Sequence, residues 1–473
     1  MSRQTPRQSG RGRRAALPPP ERVARGLRAR LNLTAVLAVL LPALTIGALA
    51  LVRPATVDVS TYPPRETGLN LSILTCPSSL DDRGDVSVAS ATGLAGQVEV
   101  TQSGAASTTE VDVPADRPAT ADAGSRGLTV RGVDDLAPGL LASRQGPGPA
   151  AVSCRAPVSE QWFTGLGAAA RHSSVLELVN PDPGPAVADI TVIGARGPVD
   201  APSLRGITVP GGRSLRLDLA QEIPMRGELS AHVVVSRGRL GVYAADTFDE
   251  LGRGDAGTDW LAAQEPGVDL LMLGLPTGTG TRSLVVANDG VDEARVVVRV
   301  VTKDSAFRPE DLDDVTVPPG SVTRVPLSAI LGAAVRDGAL GVQVESTHPV
   351  TATLRSFVDG DVSHSVPLPE VTEETEAVLP EGRSTVLLSS DVVGSAEVLA
   401  RLAGGNMKVQ EVDLAPGLTV AVRIPEGATL VQVTPAGGAL RGAVVSQAGG
   451  AAVVGLHDLV RTGLVADVRP ALP

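Results

Sequence analysis

Aromatic residues are scarce. Two Trp, two Tyr and four Phe serve all 473 residues, 2% of the chain. Cores must therefore be filled by Val, Leu, Ala and Ile, and sites that stack sugar rings on aromatic faces are disfavoured. Lysine is nearly absent: Lys303 and Lys408 are the only two, so the basic charge is arginine. Cysteine stops at Cys76 and Cys154. Histidine stops at His172, His232, His348, His364 and His457, and no two lie within four residues, which excludes a zinc pair of local spacing. The hydrolase patterns G-x-S-x-G, S-x-x-K and H-E-x-x-H are missing. No catalytic, cofactor-binding or metal-binding residue is assigned, and the chain is expected not to be an enzyme.

One apolar run organises what is present. Leu33 to Val52 holds twenty residues without a charge, about the length a helix needs to cross a bilayer core. Residues 1–30 carry nine Arg against one acid, Glu21. Basic residues stay on the cytoplasmic side, so residues 1–32 are expected inside, 33–52 as a transmembrane helix, and the rest outside. Pro42 lies mid-run, which a bilayer helix tolerates. The rival is a signal peptide cut at Ala48-Leu49-Ala50, giving a secreted protein. Arg13-Arg14 is read as topogenic charge rather than a twin-arginine signal. The net charge is −11; with +8 in the first 30 residues, the remainder carries −19. So acidic an exported part argues against nucleic acid as a partner. Two exported thiols imply one disulfide, Cys76 to Cys154.

The exported part repeats. Four stretches share one layout, a strand ending in Asn or Ser, a polar turn, then a second strand: 85–100, 174–192, 283–300 and 385–402. Their markers are Ser90, Asn180, Asn288 and Ser390, about a hundred residues apart. Strand, Pro-Gly turn, strand follows at 207–219, 315–327 and 412–424. Next come 229–248, 340–360 and 430–450, which read as hairpins with His232 and His348 in matching places. Period 2 with Gly/Pro punctuation reads as all-β. The expected architecture is about four tandem Ig-like β-sandwiches, with a β-propeller as the alternative. The expected units are 53–157, holding the disulfide; 158–258; 259–366; and 367–473, the last degenerate. Trp162 and Trp260 are expected to pack in cores or between units. Residues 101–127 are small and polar and are expected to add little core.

The charged tail, the single span, Cys76-Pro77, Cys154 followed by Trp162-Phe163, and the run from Leu176 through the Val209-Pro210-Gly211-Gly212 turn together carry a resemblance. They resemble an actinobacterial family of membrane-anchored or secreted proteins catalogued as a domain of unknown function. An Arg-, Ala- and Gly-rich chain poor in Lys fits such high-GC organisms. The resemblance implies no activity, substrate or catalytic residue.

Smaller motifs read blandly. Asp289-Gly290 and Asp359-Gly360-Asp361 are read as turns rather than calcium loops. Arg83-Gly84-Asp85 and Arg253-Gly254-Asp255 are chance tripeptides, and the glycines at 165 and 167 lack the βαβ context of a nucleotide loop. The expected role is a non-catalytic, membrane-anchored cell-envelope scaffold or adaptor that binds another surface component, an envelope protein or cell-wall partner. The alternative is a cell-wall glycan-processing enzyme or its accessory subunit.

Overall fold

The computed structural model describes residues 33–51, 64–81, 83–250, 252 and 255–465. The Arg-rich tail, Val52 and the Pro-containing lead lie outside the described residues. The chain divides into two units, Met1–Pro63 and Pro64–Pro473.

In the first unit, Leu33–Leu51 is a helix of 19 residues with Pro42 inside it. The Thr45 hydroxyl donates to the carbonyls of Leu41 (3.0 Å) and Pro42 (2.9 Å), so its polar atom is satisfied within the helix. Leu37, Val39, Leu44, Ile46 and Leu49 are exposed. Side chains are described for 34 and 36–49 of this run. Among the described residues no helix is long and apolar enough to cross a membrane.

The second unit is all-β. Its strands alternate apolar-in and polar-out, as Gly96–Gln102 and Ala186–Gly194 do, so each sheet has one face to bury. The sheets stack in pairs around four apolar cores. We call each pair with its core a module. Numbering a module's strands in chain order, one sheet runs first, sixth, third, fourth, and its mate fifth, second, seventh, eighth. In the first module these are Leu71–Cys76, Leu128–Val133, Gly96–Gln102, Thr109–Val113, and Ala119–Asp122, Asp85–Ser90, Leu140–Gln145, Ala151–Ser153. The fourth repeats the order from Thr375–Val378 to Ala451–Gly455. The second, Glu160–Ala169 to Gly257–Leu261, and the third, Gly267–Leu273 to Asp361–Ser365, follow it with the fourth strand split in two, but each is one continuous sheet, joined in the second by the pairing of Glu160–Ala169 with His172–Val179 and in the third by Ala339–Val358, which stands for the sixth and seventh strands together.

The marker residues explain the repeat. Asn180 Oδ1 accepts from Asp182 N (3.0 Å), while its Nδ2 donates to the carbonyls of Gly184 (2.8 Å) and Val209 (3.0 Å). Asn288 does the same with Gly290 N (3.0 Å), Asp292 (2.8 Å) and Val317 (3.1 Å). One amide thus caps the polar turn and pins the later Pro-Gly crossing. A serine keeps the turn bond without the amide's reach to the Pro-Gly crossing: Thr92 N donates to Ser90 Oγ and Val392 N to Ser390 Oγ, each at 3.3 Å, and Ser390 Oγ donates in turn to Ala439 O (2.8 Å).

Three expectations change. The stretches 229–248, 340–360 and 430–450 are not hairpins. Arg226–Arg237 pairs with Glu160–Ala169 and Ala186–Gly194, and Gly241–Phe248 with His172–Val179 and Gly257–Leu261, so the two do not pair with each other, and Ala339–Val358 is one strand of 20 residues that serves both layers of its module. A chain crossing between stacked sheets uses the same Gly-rich turn as a hairpin, so period and punctuation do not separate the two. His232 and His348 accordingly differ: His232 stacks on Trp162 (3.9 Å between ring centroids, 4° between planes), whereas His348 is exposed. The expected boundary at 258/259 falls inside Gly257–Leu261, which pairs with Gly241–Phe248. Within 101–127, Val111 and Val113 are buried in the first core.

The modules touch in sequence and the last returns to the first. Ala89 and Leu141 pack against Leu430 and Leu459, and Arg65–Gly68 pairs antiparallel with Thr462–Val465. The modules' final strands, Ala151–Ser153, Gly257–Leu261, Asp361–Ser365 and Ala451–Gly455, approach one another in the same cyclic order.

Candidate functional site

Cys76 and Cys154 form a disulfide, with Cα atoms 4.5 Å apart. It bolts the first strand of one sheet to the end of its mate. Thr75 and Arg155 beside it exchange backbone bonds of 2.9 and 3.1 Å. The Tyr243 hydroxyl of the second module donates to Thr75 O and accepts from Arg155 N (3.1 Å). Ser78, two residues past Cys76, gives both N and Oγ to Glu177 at 2.7 Å. The aromatic partner of the bonded ends is therefore Tyr243, not the Trp162 that follows in sequence. A polar cleft of about 820 Å³ opens beside this junction, lined by Ser79, Arg126, Ser173, Arg216, Thr247 and Thr258.

The densest cluster of titratable groups lies between the second and third modules. Asp246 on Gly241–Phe248 is fully buried. Its Oδ1 meets His172 Nε2 (3.1 Å) and accepts from Ser174 Oγ (2.5 Å); its Oδ2 meets His364 Nε2 (3.0 Å). His364 comes from the third module. Arg355, also from the third module, forms two bonds to Glu228 (2.5 and 3.1 Å), sits 3.1 Å from His172 Nε2, and lies 4.3 Å over the Phe248 ring. Burial by itself would raise the Asp246 pKa. The His172 charge and the hydrogen bonds of His172 and His364 reverse it and hold this carboxyl well below the usual carboxylate range. Its cross-strand partner Asp259 is pushed the other way, by burial and then by the Asp361 charge. Burial also raises Asp361.

Ser, His and Asp meet here, and two carboxylates have opposed shifts, a pattern shared with acid–base sites. The connectivity differs from a nucleophile's. Ser174 gives its hydrogen to Asp246, not to an imidazole, and both histidines face the same carboxylate. Activation needs a serine bonded to a base that a third group orients. What the cluster does is join modules: every contact of His364 and Arg355 to it crosses the junction. Thr164 Oγ1 adds contacts of 2.8 Å to Ser230 and 2.5 Å to Thr351 of the third module, and Gln264 Nε2 donates to Thr353 Oγ1 (3.0 Å). Sequence spacing gave no hint of this, since its members come from five separate strands.

Other motifs resolve simply. Among the described residues no three His, Cys, Asp or Glu are placed to hold a metal. Asp359 and Gly360 have φ of 53° and 86° in the tight turn between Ala339–Val358 and Asp361–Ser365. Arg83 is bonded to Asp81 at 2.6 Å, and Gly165 and Gly167 lie inside the strand Glu160–Ala169. Arg253 and Gly254 lie outside the described residues.

No curated protein matches the chain. A solved structure, described as the crystal structure of a tetra-tandem repeat in the extending region of a large adhesion protein, aligns over 84% of this chain and 95% of that one. Its identity is 12% and its TM-score 0.11, and at that score the likeness carries no argument. Residues 117–425, well over half of the chain, match the family described as a family of unknown function. The chain thus belongs to that family, DUF5719.

Proposed function

We propose that the chain is a non-catalytic scaffold or adaptor of the cell envelope, held by a single membrane span with its N-terminus in the cytoplasm. On this reading the modules are Ig-like sandwiches that present edges and loops to another surface component. The observation that carries it is the cyclic joining of four modules of one topology. Buried ion pairs cross the junction of the second and third modules, so the body serves as a rigid platform. The anchor rests on the sequence: Leu33 to Val52 carries no charge and nine Arg precede it.

The test has two arms. Protease added to intact spheroplasts should digest the region after residue 53, and tagged full-length protein should recover one envelope component from native membranes. Protection of that region would contradict the topology. Turnover of purified cell-wall glycan by the protein would favour the glycan-processing alternative over the scaffold.

A further inference from the structure

A cavity lies where all four modules meet, with lobes of about 350 and about 50 Å³. Arg155 and Gln161 come from the end of the first module and the start of the second, His364 from the third and Val453 from the fourth. These four line both lobes. The larger falls within the range of small-ligand sites, about 300–1,000 Å³.

The polar groups here are unsatisfied in a particular combination. Arg155 forms its bonds through its backbone, and its guanidinium has no ion-pair or hydrogen-bond partner among the described residues. Burial pushes its pKa down, and no carboxylate counters that; the only opposing contribution is Tyr243. Its field is felt nearby: burial, then the Arg155 charge, push His457 down to about 4. Trp260 Nε1, on the smaller lobe, is buried without a partner. These are two donors. Gln161 Oε1 and His364 Nδ1 are likewise buried without partners. His364 is 5% exposed, and its Nε2 is committed to Asp246 at 3.0 Å, so with the proton on Nε2 its Nδ1 is an acceptor. Buried groups of this kind are normally paired, because each unmade bond costs about 1–3 kcal/mol. Ala262, Val366 and Leu368 supply apolar wall, and the exposed acids Glu160, Glu265 and Asp269 also line the larger lobe.

Two donors, one of them an unpaired, half-buried guanidinium, two acceptors and carboxylates about the larger lobe describe the complement of one chemistry. We infer that this cavity binds the carboxylate end of an apolar α-amino acid, free or as the last residue of a peptide. The carboxylate takes the hydrogens of Arg155 and Trp260. The α-nitrogen of a free amino acid donates to both Gln161 and His364, the single amide N–H of a peptide's last residue to one of them, and the side chain lies on the apolar wall. The inference is independent of the scaffold reading.

Titration calorimetry on the full chain in nanodiscs tests it with four probes: L-leucine, the peptide acetyl-Gly-Leu-Leu, its C-terminal amide, and octanoate. Leucine or the free-acid peptide should bind, and which one does identifies the source. The amide should bind at least tenfold more weakly than the acid, and octanoate, which lacks the α-donor, more weakly than the binding probe. Arg155→Gln should lose at least tenfold in affinity. Gln161→Leu, which keeps the cation, should weaken leucine or the peptide but not octanoate, a split that mere misfolding would not give. Failure of both leucine and the acid peptide to bind, equal binding of acid and amide, or octanoate binding best would overturn the inference.

Discussion

The third module is joined to its two neighbours by opposite chemistry. Toward the second it presents Arg355 and His364 to Glu228 and Asp246, with a small apolar patch of Ile193, Val285, Ala287 and Val322 alongside. Toward the fourth it presents Leu271 and Leu273 to Leu368, Leu387, Ala443 and Val445, with Arg441 reaching Asp269 (3.2 Å) at the edge. The strand orders of the joined modules are the same, so the topology does not dictate the glue. An apolar seam scales with buried area and tolerates small shifts. Buried charges gain only when every partner is in place, and they fix one relative setting of the modules. The polar junction is therefore the one to respond to pH, and the apolar one the one to respond to cavities.

The largest expected effect lies outside both junctions and calibrates them. Removing the disulfide with Cys76→Ser and Cys154→Ser should cost about 4.5 kcal/mol by loop-closure entropy. Thermal unfolding with limited proteolysis should place the loss in the first module and its Tyr243 contact; unchanged resistance there would contradict the assignment.

At the polar junction, Asp246→Ala leaves His172, His364 and Ser174 without their shared acceptor and should cost about 4 kcal/mol at pH 7. The sign with pH follows from the depressed carboxyl. Its contribution is complete above the ordinary aspartate range and is lost as pH falls through and below it. The gap in melting temperature between parent and variant should therefore shrink below about pH 4; a gap independent of pH would argue against ionised Asp246. Leu271→Ala at the apolar junction should cost about 3 kcal/mol, with the same gap at pH 4 and pH 7.

These junctions also mark how far the sequence could be read. The β character, the hundred-residue repeat, the Pro-Gly crossings and the cysteine pair are local patterns, and they were legible. Asn180 and Asn288 stood out because an amide that caps a turn must sit at a fixed place before it. Strand partners were not legible: 229–248 alternates like a hairpin whether its halves pair or cross between sheets. The polar cluster was invisible for a related reason. His172, Asp246, Arg355 and His364 become neighbours only when two finished modules dock, and no local spacing encodes that.

A smaller effect sharpens the contrast from the fourth module. Glu376 is buried with Arg401 3.5 Å away, and both its oxygens lack hydrogen bonds. Burial raises its pKa to about 7. The folded state therefore keeps the proton longer than the unfolded chain, and stability falls as pH rises from about 4.5 to about 7. Glu376→Gln should stabilise by about 2 kcal/mol at pH 8 and by little at pH 4. Equal gains at both values would contradict the raised carboxyl.

The central claim is that four modules of one topology are joined cyclically into a single cooperative body. Scanning calorimetry of the full chain in nanodiscs tests it most directly. Coupled modules predict one transition for residues 64–473, with a calorimetric to van't Hoff enthalpy ratio near one. A ratio approaching four, or separate peaks for separate modules, would mean that the polar and apolar seams do not bind the modules together and that they behave as independent beads.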